Sequence, residues 1–474
     1  MKLKPRPYQA RVLDDTRAAL RRVKRVLIQL PTGGGKTVIA ALIADGVVKR
    51  GNSLSFLCHR DFLVDQTSKT FLSNDIEHSF VAAGRWHNRF APVTVCMIPT
   101  LTNRLSKVQA PKVAIWDECH HIGAKTWARI MTAWPDTIHI GLTATPVRLD
   151  GKGLDDYFDE MVIGPTIREL IEEGSLADYR AFAPSAPDLT GVSTRRGDYV
   201  KGEIDEVMDR SVLIGDMVGH YKKIAPGSLA VYFCSSVKHS QHVAASFCES
   251  GIPALHLDGN SSTAERMDAA QRFARREKLV LTNVDLFGEG YDLAAQAQME
   301  VTIETVGLAR PTQSLGLYMQ QVGRSLRPKP HPAIILDHAG NISRHGLVDD
   351  EREWSLRGVE KDGSGGSTVK QCENCFAMYP ISAKLCPECG VEKAPADGGG
   401  REVEQEDGDL EEIDVKERRK IKKQEEWGAR TVDDLVRIAK QRGYKSPEQW
   451  AAHIWTARER AINKRLAGQM DFLR

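Results

Sequence analysis

The 474-residue chain contains no run of about 20 apolar residues, the length that an α-helix needs to cross a bilayer. Its first residues, MKLKPRPYQ, lack the apolar segment of a signal peptide. Neither charge dominates, because 65 lysines and arginines stand against 63 aspartates and glutamates. Net charge therefore does not indicate a polyanionic partner, and basic residues have to be assessed by position. We expect a cytoplasmic protein with no membrane partner.

Cysteine is also scarce, and four of the nine cysteines are concentrated near residue 380. Cys372 and Cys375 form one Cys-x-x-Cys pair, and Cys386 and Cys389 form a second pair after a gap of ten residues. In a reducing compartment such a set indicates a metal before a disulfide. Four thiolates make a closed tetrahedral Zn²⁺ site of the structural kind. An iron–sulfur cluster and two unrelated pairs are the alternatives.

Two series of apolar, strand-like segments alternate with segments of helical spacing. At 474 residues the chain is too long for one compact core, so two or three domains are expected. This alternation predicts mostly parallel sheets, whose ligands gather at the carboxyl ends of the strands. We therefore predict an α/β fold with two sheet domains.

A glycine-rich turn, LPTGGGKT from Leu30 to Thr37, follows an apolar run and precedes a helix-compatible one. Such a turn directs backbone N–H groups and the positive end of a helix dipole to one place where a phosphate can bind. Lys36 adds a positive charge for the β- and γ-phosphates, and the Thr37 hydroxyl suits Mg²⁺. Leu30 stands where the P-loop pattern has its first glycine, so a chance glycine turn is the alternative.

Two adjacent carboxylates, Asp117 and Glu118, follow the apolar strand 113–116 and fall at the same edge of the predicted sheet. ATP hydrolysis needs one group to hold Mg²⁺ and another to orient or deprotonate the attacking water. We assign Asp117 to magnesium and Glu118 to the water. An acidic helix N-cap is the alternative.

Two further features suit a nucleotide site. Gln9 offers both a donor and an acceptor for the edge of an adenine. Thr143 and Thr145, at the end of the apolar strand 138–142, can relay hydrogen bonds between a nucleotide site and a neighbouring surface. A surface glutamine and a simple turn are the alternatives.

The segments RPYQ, PTGGGKT, DECH and TAT, in this order and at these separations, resemble the Q motif and motifs I, II and III of the superfamily 2 helicases, the DEAD/DEAH-box-related motors. His59 to Gln66 is similar to motif Ia, and Thr100-Leu101 to motif Ib. This group does not require glycine at position 30. The box reads DECH here, which indicates DNA-repair and restriction-type motors. The resemblance covers residues 5 to 340.

The second half of the chain resembles the second RecA-like lobe of the same family. VYFC is similar to motif IV, Thr282 with GEGYD to motif V, and residues 320 to 327 to motif VI, of the type Q-x-x-G-R-x-x-R. Arg324 and Arg327 lie one turn apart on a helix, so they can face the same cleft. An arginine from a second lobe neutralises charge on the transferred phosphate, an effect of roughly 10³ to 10⁵ in rate in other NTPases. A solvated basic face is the alternative.

The resemblance implies roles for a larger set of residues. Those implied for ATP and Mg²⁺ are Arg6, Gln9, Thr32, Gly33, Gly34, Gly35, Lys36, Thr37, Asp117, Gly290 and Asp292. Those implied for catalysis are Asp117, Glu118, Gln320, Arg324 and Arg327. Those implied for coupling are His120, Thr143 and Thr145. Those implied for nucleic acid, which this family holds largely by the backbone, are Arg60, Thr100, Thr282, Arg310 and Thr312.

The tail follows a DHAGN turn and a Gly/Ser linker. The order of motor, turn and Cys-x-x-Cys pairs is similar to the RadD-like and phage-encoded branch of the family. A zinc ribbon of this size can bind DNA or a protein, or only staple the fold. The acidic run 402–414 predicts a solvated linker. Residues 427–474 predict a small helical module for docking or nucleic-acid binding, with a plain packing unit as the alternative.

The predicted architecture is α/β, with two tandem RecA-like domains of parallel sheets, a small four-cysteine zinc ribbon and a C-terminal helical segment. The expected divisions are the ATP-binding domain 1–160, a connector 161–226, the helicase C-terminal domain 227–345, the zinc ribbon 368–392, a charged linker 393–426 and a helical module 427–474.

The resemblance implies an ATP-dependent DNA helicase or translocase in DNA repair, recombination or phage replication, with ATP, Mg²⁺ and Zn²⁺ as cofactors. Single-stranded or branched DNA is the expected partner; RNA stays open, as does a protein partner at the zinc ribbon or C-terminal helices. A second hypothesis is an ATP-switched binding or annealing clamp. A third is the motor subunit of a restriction system, which would need a partner nuclease because this chain has no nuclease signature.

Overall fold

The computed structural model describes residues 4–85, 87–121, 125–148, 153–183, 192–195, 198–208, 211–287, 293–358, 369–371, 378–380, 411–413, 425–429, 431–442, 447–452, 454–456 and 458. These residues form two units. The larger unit comprises Met1–Asp350 and Trp354–Glu412, and the smaller unit comprises Glu351–Glu353 and Ile413–Arg474. Among the described residues, no helix has both the length and the apolar character needed to cross a membrane.

The first half of the larger unit is built on one seven-stranded sheet. Its elements are α1 (Pro7–Ala19), β1 (Arg25–Gln29), α2 (Lys36–Val48), β2 (Leu54–Cys58), α3 (Asp61–Leu72), β3 (His78–Val81), β4 (Val93–Met97), α4 (Ile98–Arg104), β5 (Val113–Asp117), α5 (Lys125–Ala133), β6 (Ile138–Thr143), β7 (Glu160–Ile163) and α6 (Ile167–Glu172). The strand order is β3-β4-β2-β5-β6-β1-β7, and neighbouring strands are parallel. We call this half the first lobe.

A second seven-stranded sheet organises the rest of the larger unit, which we call the second lobe. Its elements begin with β8 (Tyr179–Ala183), β9 (Thr194–Arg195), β10 (Asp198–Tyr199), α7 (Lys201–Met208), α8 (Ser211–Ile224), β11 (Ala230–Cys234), α9 (Val237–Glu249), β12 (Ala254–Leu257), α10 (Thr263–Ala274) and β13 (Val280–Asn283). They continue with α11 (Leu293–Ala297), β14 (Thr305–Ala309), α12 (Leu315–Gly323), β15 (Ala333–Asp337), α13 (Asn341–His345), β16 (Val369–Gln371), β17 (Met378–Pro380) and β18 (Glu411–Ile413). The strand order is β12-β13-β11-β14-β15-β8-β18. The prediction of two parallel-sheet α/β domains is confirmed.

Burial on both faces explains why the central strands are almost continuously apolar rather than alternating. All five residues of β11 and of β14 are buried. In the first lobe Trp116 of β5 packs with Trp127 and Phe158. In the second lobe Tyr232 of β11 packs with Tyr221 and Phe247. Each sheet therefore has its own core.

The segment expected to be a less regular connector supplies an edge region to both sheets. β7 pairs with β1 in the first sheet, and β8 pairs with β15 in the second. Both strands are short, and neither is buried throughout, since Ile163 of β7 and Arg180 of β8 are exposed.

The smaller unit contains α14 (Val432–Gln441) around a small apolar cluster that includes Leu435 and Trp450. Thr431 caps this helix in a capping box with Asp434. Arg442 joins the helix end to Glu425 and Glu426. The described residues thus agree with the predicted helical segment near the C-terminus.

The core of the second lobe gives a stability prediction at Gly307 of β14. A Cβ at this position would overlap the ring of Tyr232, which is fully buried and held on all sides. We expect Gly307→Ala to destabilise the fold by about 1–3 kcal/mol, the usual cost of overpacking a core. Differential scanning fluorimetry measures the fall in Tm. Gly219→Ala is the matched control, because that exposed glycine of α8 has open space around it and alanine favours a helix; an equal Tm for both variants would contradict this account.

Candidate active site

The glycine-rich turn leaves β1 and enters α2 in a backbone conformation that requires glycine. Gly33 and Gly35 have φ values of +83° and +79°, in the left-handed region that side chains disfavour. A Cβ added at Gly34 would lie 2.9 Å from the carbonyl oxygen of Pro31. The turn is thus a cradle that side chains would fill, placed at the positive end of α2. Such a cradle fits phosphate oxygens.

Helix α1 lies against this turn. The Tyr8 hydroxyl donates to the carbonyl oxygen of Gly34 over 3.0 Å, and Gln9 Nε2 lies 3.4 Å from the Tyr8 oxygen. Gln9 Oε1 accepts from the backbone N–H of Arg6 over 2.9 Å. Gln9 is 3% exposed, so its amide is held between the helix start and the turn. Sequence reasoning selected Gln9 and Arg6 but missed Tyr8, whose only signal is an aromatic residue beside Gln9.

Lys36 and Glu118 form an ion pair of 2.9 Å between Nζ and Oε1, with side chains 13% and 7% exposed. β1 and β5 both border β6, so their parallel carboxyl ends bring the glycine turn and the Asp117-Glu118 pair to one edge of the sheet. Glu118 has a φ of +47°, which is uncommon for a residue with a side chain. The backbone bends sharply at this residue, directly after β5.

The neighbouring thiol does not compete with these groups. Burial raises the pKa of Cys119 well above its usual range, and the carboxylates of Glu118 and Asp117 raise it further. Cys119 therefore stays protonated and is a packing residue rather than a nucleophile.

His120 connects Glu118 to the end of β6. Thr143 Oγ1 donates its proton to the carbonyl oxygen of Thr145 over 3.0 Å and accepts from the Thr145 N–H over 3.1 Å. Because that proton is already used, the 3.0 Å contact between Thr143 Oγ1 and His120 Nδ1 requires the histidine to donate. The same Nδ1 lies 3.5 Å from Glu118 Oε2. The three residues expected to act in coupling are therefore in one hydrogen-bonded group beside Glu118.

Helix α12 of the second lobe approaches the glycine turn closely. A Cβ at Gly323 would lie 2.6 Å from Cβ of Thr32, and a Cβ at Gly316 would lie 2.9 Å from Oγ1 of Thr145. Gly323 is the last residue of α12 and Arg324 is its C-cap. The prediction that Arg324 and Arg327 lie on one helix is therefore wrong, because both residues lie in the turn that follows α12. The structure therefore brings the Q-x-x-G-R-x-x-R segment of one lobe against the glycine turn of the other.

Two further contacts fasten this seam. Leu176, between α6 and β8, lies over Gly33, and the N–H of Ala177 donates to the carbonyl oxygen of Leu326 over 2.9 Å. The segment that joins the lobes thus contacts both the glycine turn and the turn that carries Arg324 and Arg327.

Gln320 is 3% exposed within α12. Two residues beyond Arg327, burial lowers the pKa of Lys329 to about 8, although Glu304 opposes the shift.

The residues expected to contact nucleic acid are placed differently from one another. Arg60 is the N-cap of α3, and its Nη1 lies 3.4 Å from the carbonyl oxygen of Asp285 in the second lobe. Thr100 is half-buried in α4. Thr282 is fully buried in β13, where its hydroxyl donates to the carbonyl oxygen of Ser240 over 2.8 Å. In this structure Thr282 has no surface for a direct contact, because its side chain is fully buried against Ser240 of α9.

Arg310 and Thr312 are also buried, at 7% and 0% exposure, and both bond to Asp198 of β10. Arg310 Nη2 lies 3.1 Å from Asp198 Oδ2, and the Thr312 hydroxyl donates to Asp198 over 3.0 Å. Arg310 Nη1 also reaches Asp285 over 2.6 Å. Sequence reasoning missed Asp198 and Asp285, because no local pattern pairs them with residues that are distant in the chain.

Six selected residues lie outside the described part of the chain. They are Gly290, Asp292, Cys372, Cys375, Cys386 and Cys389. Within the described part, no group of three or more histidine, cysteine, aspartate or glutamate side chains is arranged to hold a metal ion.

A glycine turn on one lobe and an arginine-bearing turn at the end of α12 in a second lobe define a two-lobed ATPase of RecA-like fold. Comparison with solved structures agrees: the DNA-bound Type ISP restriction-modification enzyme LlaBIII matches with a TM-score of 0.52 at 17% identity, over 71% of this chain and 28% of that one. S. cerevisiae Dbp5 bound to RNA and ADP BeF3 matches with a TM-score of 0.50 at 13% identity, over 74% and 89% of the two chains.

Sequence comparisons identify the family. The family described as type III restriction enzyme, res subunit, matches residues 2–148, and the helicase conserved C-terminal domain matches residues 212–329. A 51.5 kDa protein of a Lactococcus phage is 36% identical over 77% of each chain. The Saccharomyces cerevisiae helicase IRC3 is 27% identical over 68% of this chain and 49% of its own length. The chain belongs to the superfamily 2 helicases, and it is an ATP-hydrolysing helicase by family.

The lobe seam gives a prediction at Gly323. We expect Gly323→Ala to lower ATP turnover by at least about tenfold. The new methyl group would push α12 away from Thr32 and misplace the arginines that follow. Misplacement of a catalytic group by about 1 Å can lower a reaction rate by about 10²-fold. A steady-state ATPase assay measures this loss. Tm should stay near the wild-type value, since the contact lies between lobes rather than in a core. Gly219→Ala is the control and should retain full turnover, because that glycine has open space around it. If Gly323→Ala also retained full turnover, the contact between α12 and the glycine turn would have no role in ATP hydrolysis.

Proposed function

We propose that this helicase is a DNA motor that binds ATP in the seam between its two lobes and moves along, or separates, single-stranded or branched DNA. The observation that carries the proposal is the approach of α12 to the glycine turn beside the Lys36–Glu118 pair. A nucleotide in this seam would touch both lobes, so its binding and hydrolysis would change how they sit together.

The residue roles follow from the chemistry of phosphoryl transfer. The N–H groups of the turn from Thr32 to Gly35 would cradle the phosphates, and Lys36 would move from Glu118 to the β- and γ-phosphates. Thr37 and Asp117 would hold Mg²⁺, which when bound neutralises charge on the phosphates. Glu118, once its ion pair with Lys36 is broken, would orient the attacking water with its carboxylate.

The second lobe would complete the site. Arg324 and Arg327 would neutralise charge that develops on the transferred phosphate, with Gln320, Gly290 and Asp292 nearby. On the first lobe Gln9 would hold the adenine edge and Arg6 would support it. His120, Thr143 and Thr145 would transmit a movement of Glu118 to the rest of the lobe through the hydrogen bonds that connect them.

The DNA assignment is supported by one of the solved structures that share the fold, since LlaBIII is a restriction-modification enzyme bound to DNA. Arg60 and Thr100 lie at the carboxyl edge of the first sheet. A DNA strand that is held by its phosphate backbone would pass along this edge. Arg310, Thr312 and Thr282 are buried and would not contact the DNA directly. They would instead support the residues that form the binding surface. Repair, recombination or phage replication is the proposed setting.

A second candidate is the motor subunit of a restriction system. The match of residues 2–148 to the type III restriction family favours it, as does the Escherichia coli type I restriction enzyme EcoAI endonuclease subunit, 27% identical over 50% of this chain and 33% of its own length. Such a motor would need a nuclease partner. A strand-displacement assay separates both motors from a clamp that hydrolyses ATP without unwinding.

The test is ATP turnover titrated with single-stranded, double-stranded and forked DNA and with RNA. We expect DNA to raise turnover, forked or single-stranded DNA most. Lys36→Ala should lose about 10²-fold or more through phosphate binding, and Glu118→Gln a similar amount with ATP still bound. Filter binding of labelled ATP distinguishes the two variants.

The control is Lys49→Ala, which removes an exposed lysine at the far end of α2 and its ion pair with Asp45. This variant should behave as wild type. Turnover indifferent to every nucleic acid would end the motor proposal, and stimulation by RNA alone would redirect it. Normal turnover in Glu118→Gln would remove that carboxylate from the water-positioning role.

A separate proposal concerns the tail: Cys372, Cys375, Cys386 and Cys389 hold one structural Zn²⁺. The first pair begins directly after β16, which pairs antiparallel with β17, so it lies on the connection between two hydrogen-bonded strands. Such a connection is typical of a zinc ribbon. The ribbon and the C-terminal helices are also the proposed contact surface for a protein partner.

We expect elemental analysis of the purified chain to find one zinc per molecule and no iron. Cys386→Ser should lose most of the zinc, because three thiolates bind it far less tightly than four. Cys248→Ser is the matched control, since that cysteine is exposed on α9 and belongs to neither Cys-x-x-Cys pair. Full zinc content in Cys386→Ser would contradict the four-cysteine site.

A further inference from the structure

Three histidine rings form a continuous group at the carboxyl edge of the first sheet. β2 and β5 are parallel neighbours, so His59 after β2 and His120 and His121 after β5 meet there. The ring centroids of His120 and His121 are 4.2 Å apart, and those of His121 and His59 are 4.8 Å apart. Trp127 of α5 lies beside two of these rings, with its ring centroid 6.2 Å from that of His121 and 6.4 Å from that of His59.

One end of this group is fixed to the hydrolytic carboxylate. His120 donates from Nδ1 to Thr143, and the same nitrogen lies 3.5 Å from Glu118 Oε2. A movement of the His120 ring therefore changes the surroundings of Glu118. His120 is 7% exposed and has little room to move independently of His121.

The other end is fixed to Arg60. Arg60 Nε lies 3.2 Å from His59 Nε2, and since a guanidinium can only donate, His59 must accept at Nε2. Arg60 Nη1 also reaches the carbonyl oxygen of Asp285 across the lobes, over 3.4 Å. A ligand that draws Arg60 toward itself would thus act on both His59 and the second lobe.

We propose that His121 and His59 are positioning residues that couple nucleic-acid binding at Arg60 to the orientation of Glu118. The proposal rests on the proposed function, in which Arg60 binds a nucleic-acid backbone. His121 is the central ring, and its ring packs against both neighbouring rings. Removing it separates the two ends and leaves the Lys36–Glu118 and His120–Thr143 contacts in place. A ring that only fills space in the lobe would show no such selectivity.

The test measures ATP turnover of the full chain with and without a single-stranded oligonucleotide, together with the affinity for that oligonucleotide. His121→Ala should keep basal turnover within about twofold and keep the affinity, while the stimulation factor falls at least about fivefold, the lower end of typical coupling between sites. His121→Phe retains a ring and should recover most of the stimulation.

His78→Ala is the matched control, because His78 is a half-buried ring on edge strand β3 of the same lobe, where it packs between Phe71 of α3 and Phe80 of β3. It should keep full stimulation. The coupling role is overturned if His121→Ala is stimulated as wild type, if it loses basal turnover equally, or if His78→Ala loses stimulation to the same extent.

A second variant covers the case in which His121→Ala does not fold. His59→Leu breaks the same connection at its outer contact and should also lose stimulation; wild-type stimulation in this variant would overturn the role. Where all variants fold, the double variant His59→Leu/His121→Ala should lose no more than either single one. Failure of the proposed function looks different, since the wild-type chain itself would then respond to no nucleic acid.

Discussion

The arrangement of the two lobes depends on one close approach, that of the end of α12 to the glycine turn. Gly323 meets Thr32 at a distance that leaves no space for a methyl group on the helix. At this contact the backbone of α12 lies directly against the Thr32 side chain, with no long side chain between them that could adjust. Arg324 follows Gly323 directly and therefore inherits its position from this contact. A displacement of the glycine turn should therefore displace Arg324 by a similar distance.

The groups that face the seam are costly to the fold, which is characteristic of residues retained for chemistry. Lys36 and Glu118 lose most of their hydration, and a buried ion pair of this kind contributes little net stability. Glu118 and Asp285 both have positive φ, at +47° and +54°, directly or shortly after strand ends that face the cleft. Backbone strain of this sort costs about 1–3 kcal/mol per residue and persists only where surrounding contacts hold it.

The sequence predicted what is local and missed what is distant. The glycine turn, the Asp117-Glu118 pair and the Q-x-x-G-R-x-x-R segment each carry their chemistry within a few consecutive residues, and the alternation of strands and helices predicted the two parallel sheets. The burial of Thr282, Arg310 and Thr312 was not predictable in this way. It depends on Ser240 and Asp198, which lie 42 and more than 100 residues away in the chain. The hydrophobic periodicity of the sequence carries no information about pairs of residues this far apart.

Asp198 shows how such a distant pair serves the seam. It accepts from the Thr312 hydroxyl and from the N–H of Gln313, and Thr312 in turn accepts from the N–H of Ser314, the N-cap of α12. The short β9–β10 pair therefore fixes the start of α12, while the contact of Gly323 fixes its end. A helix of nine residues is about 13 Å long and moves as a rod. The arginines beyond Gly323 are thus positioned from two sides, and a displacement of either anchor reaches the nucleotide site through the same helix.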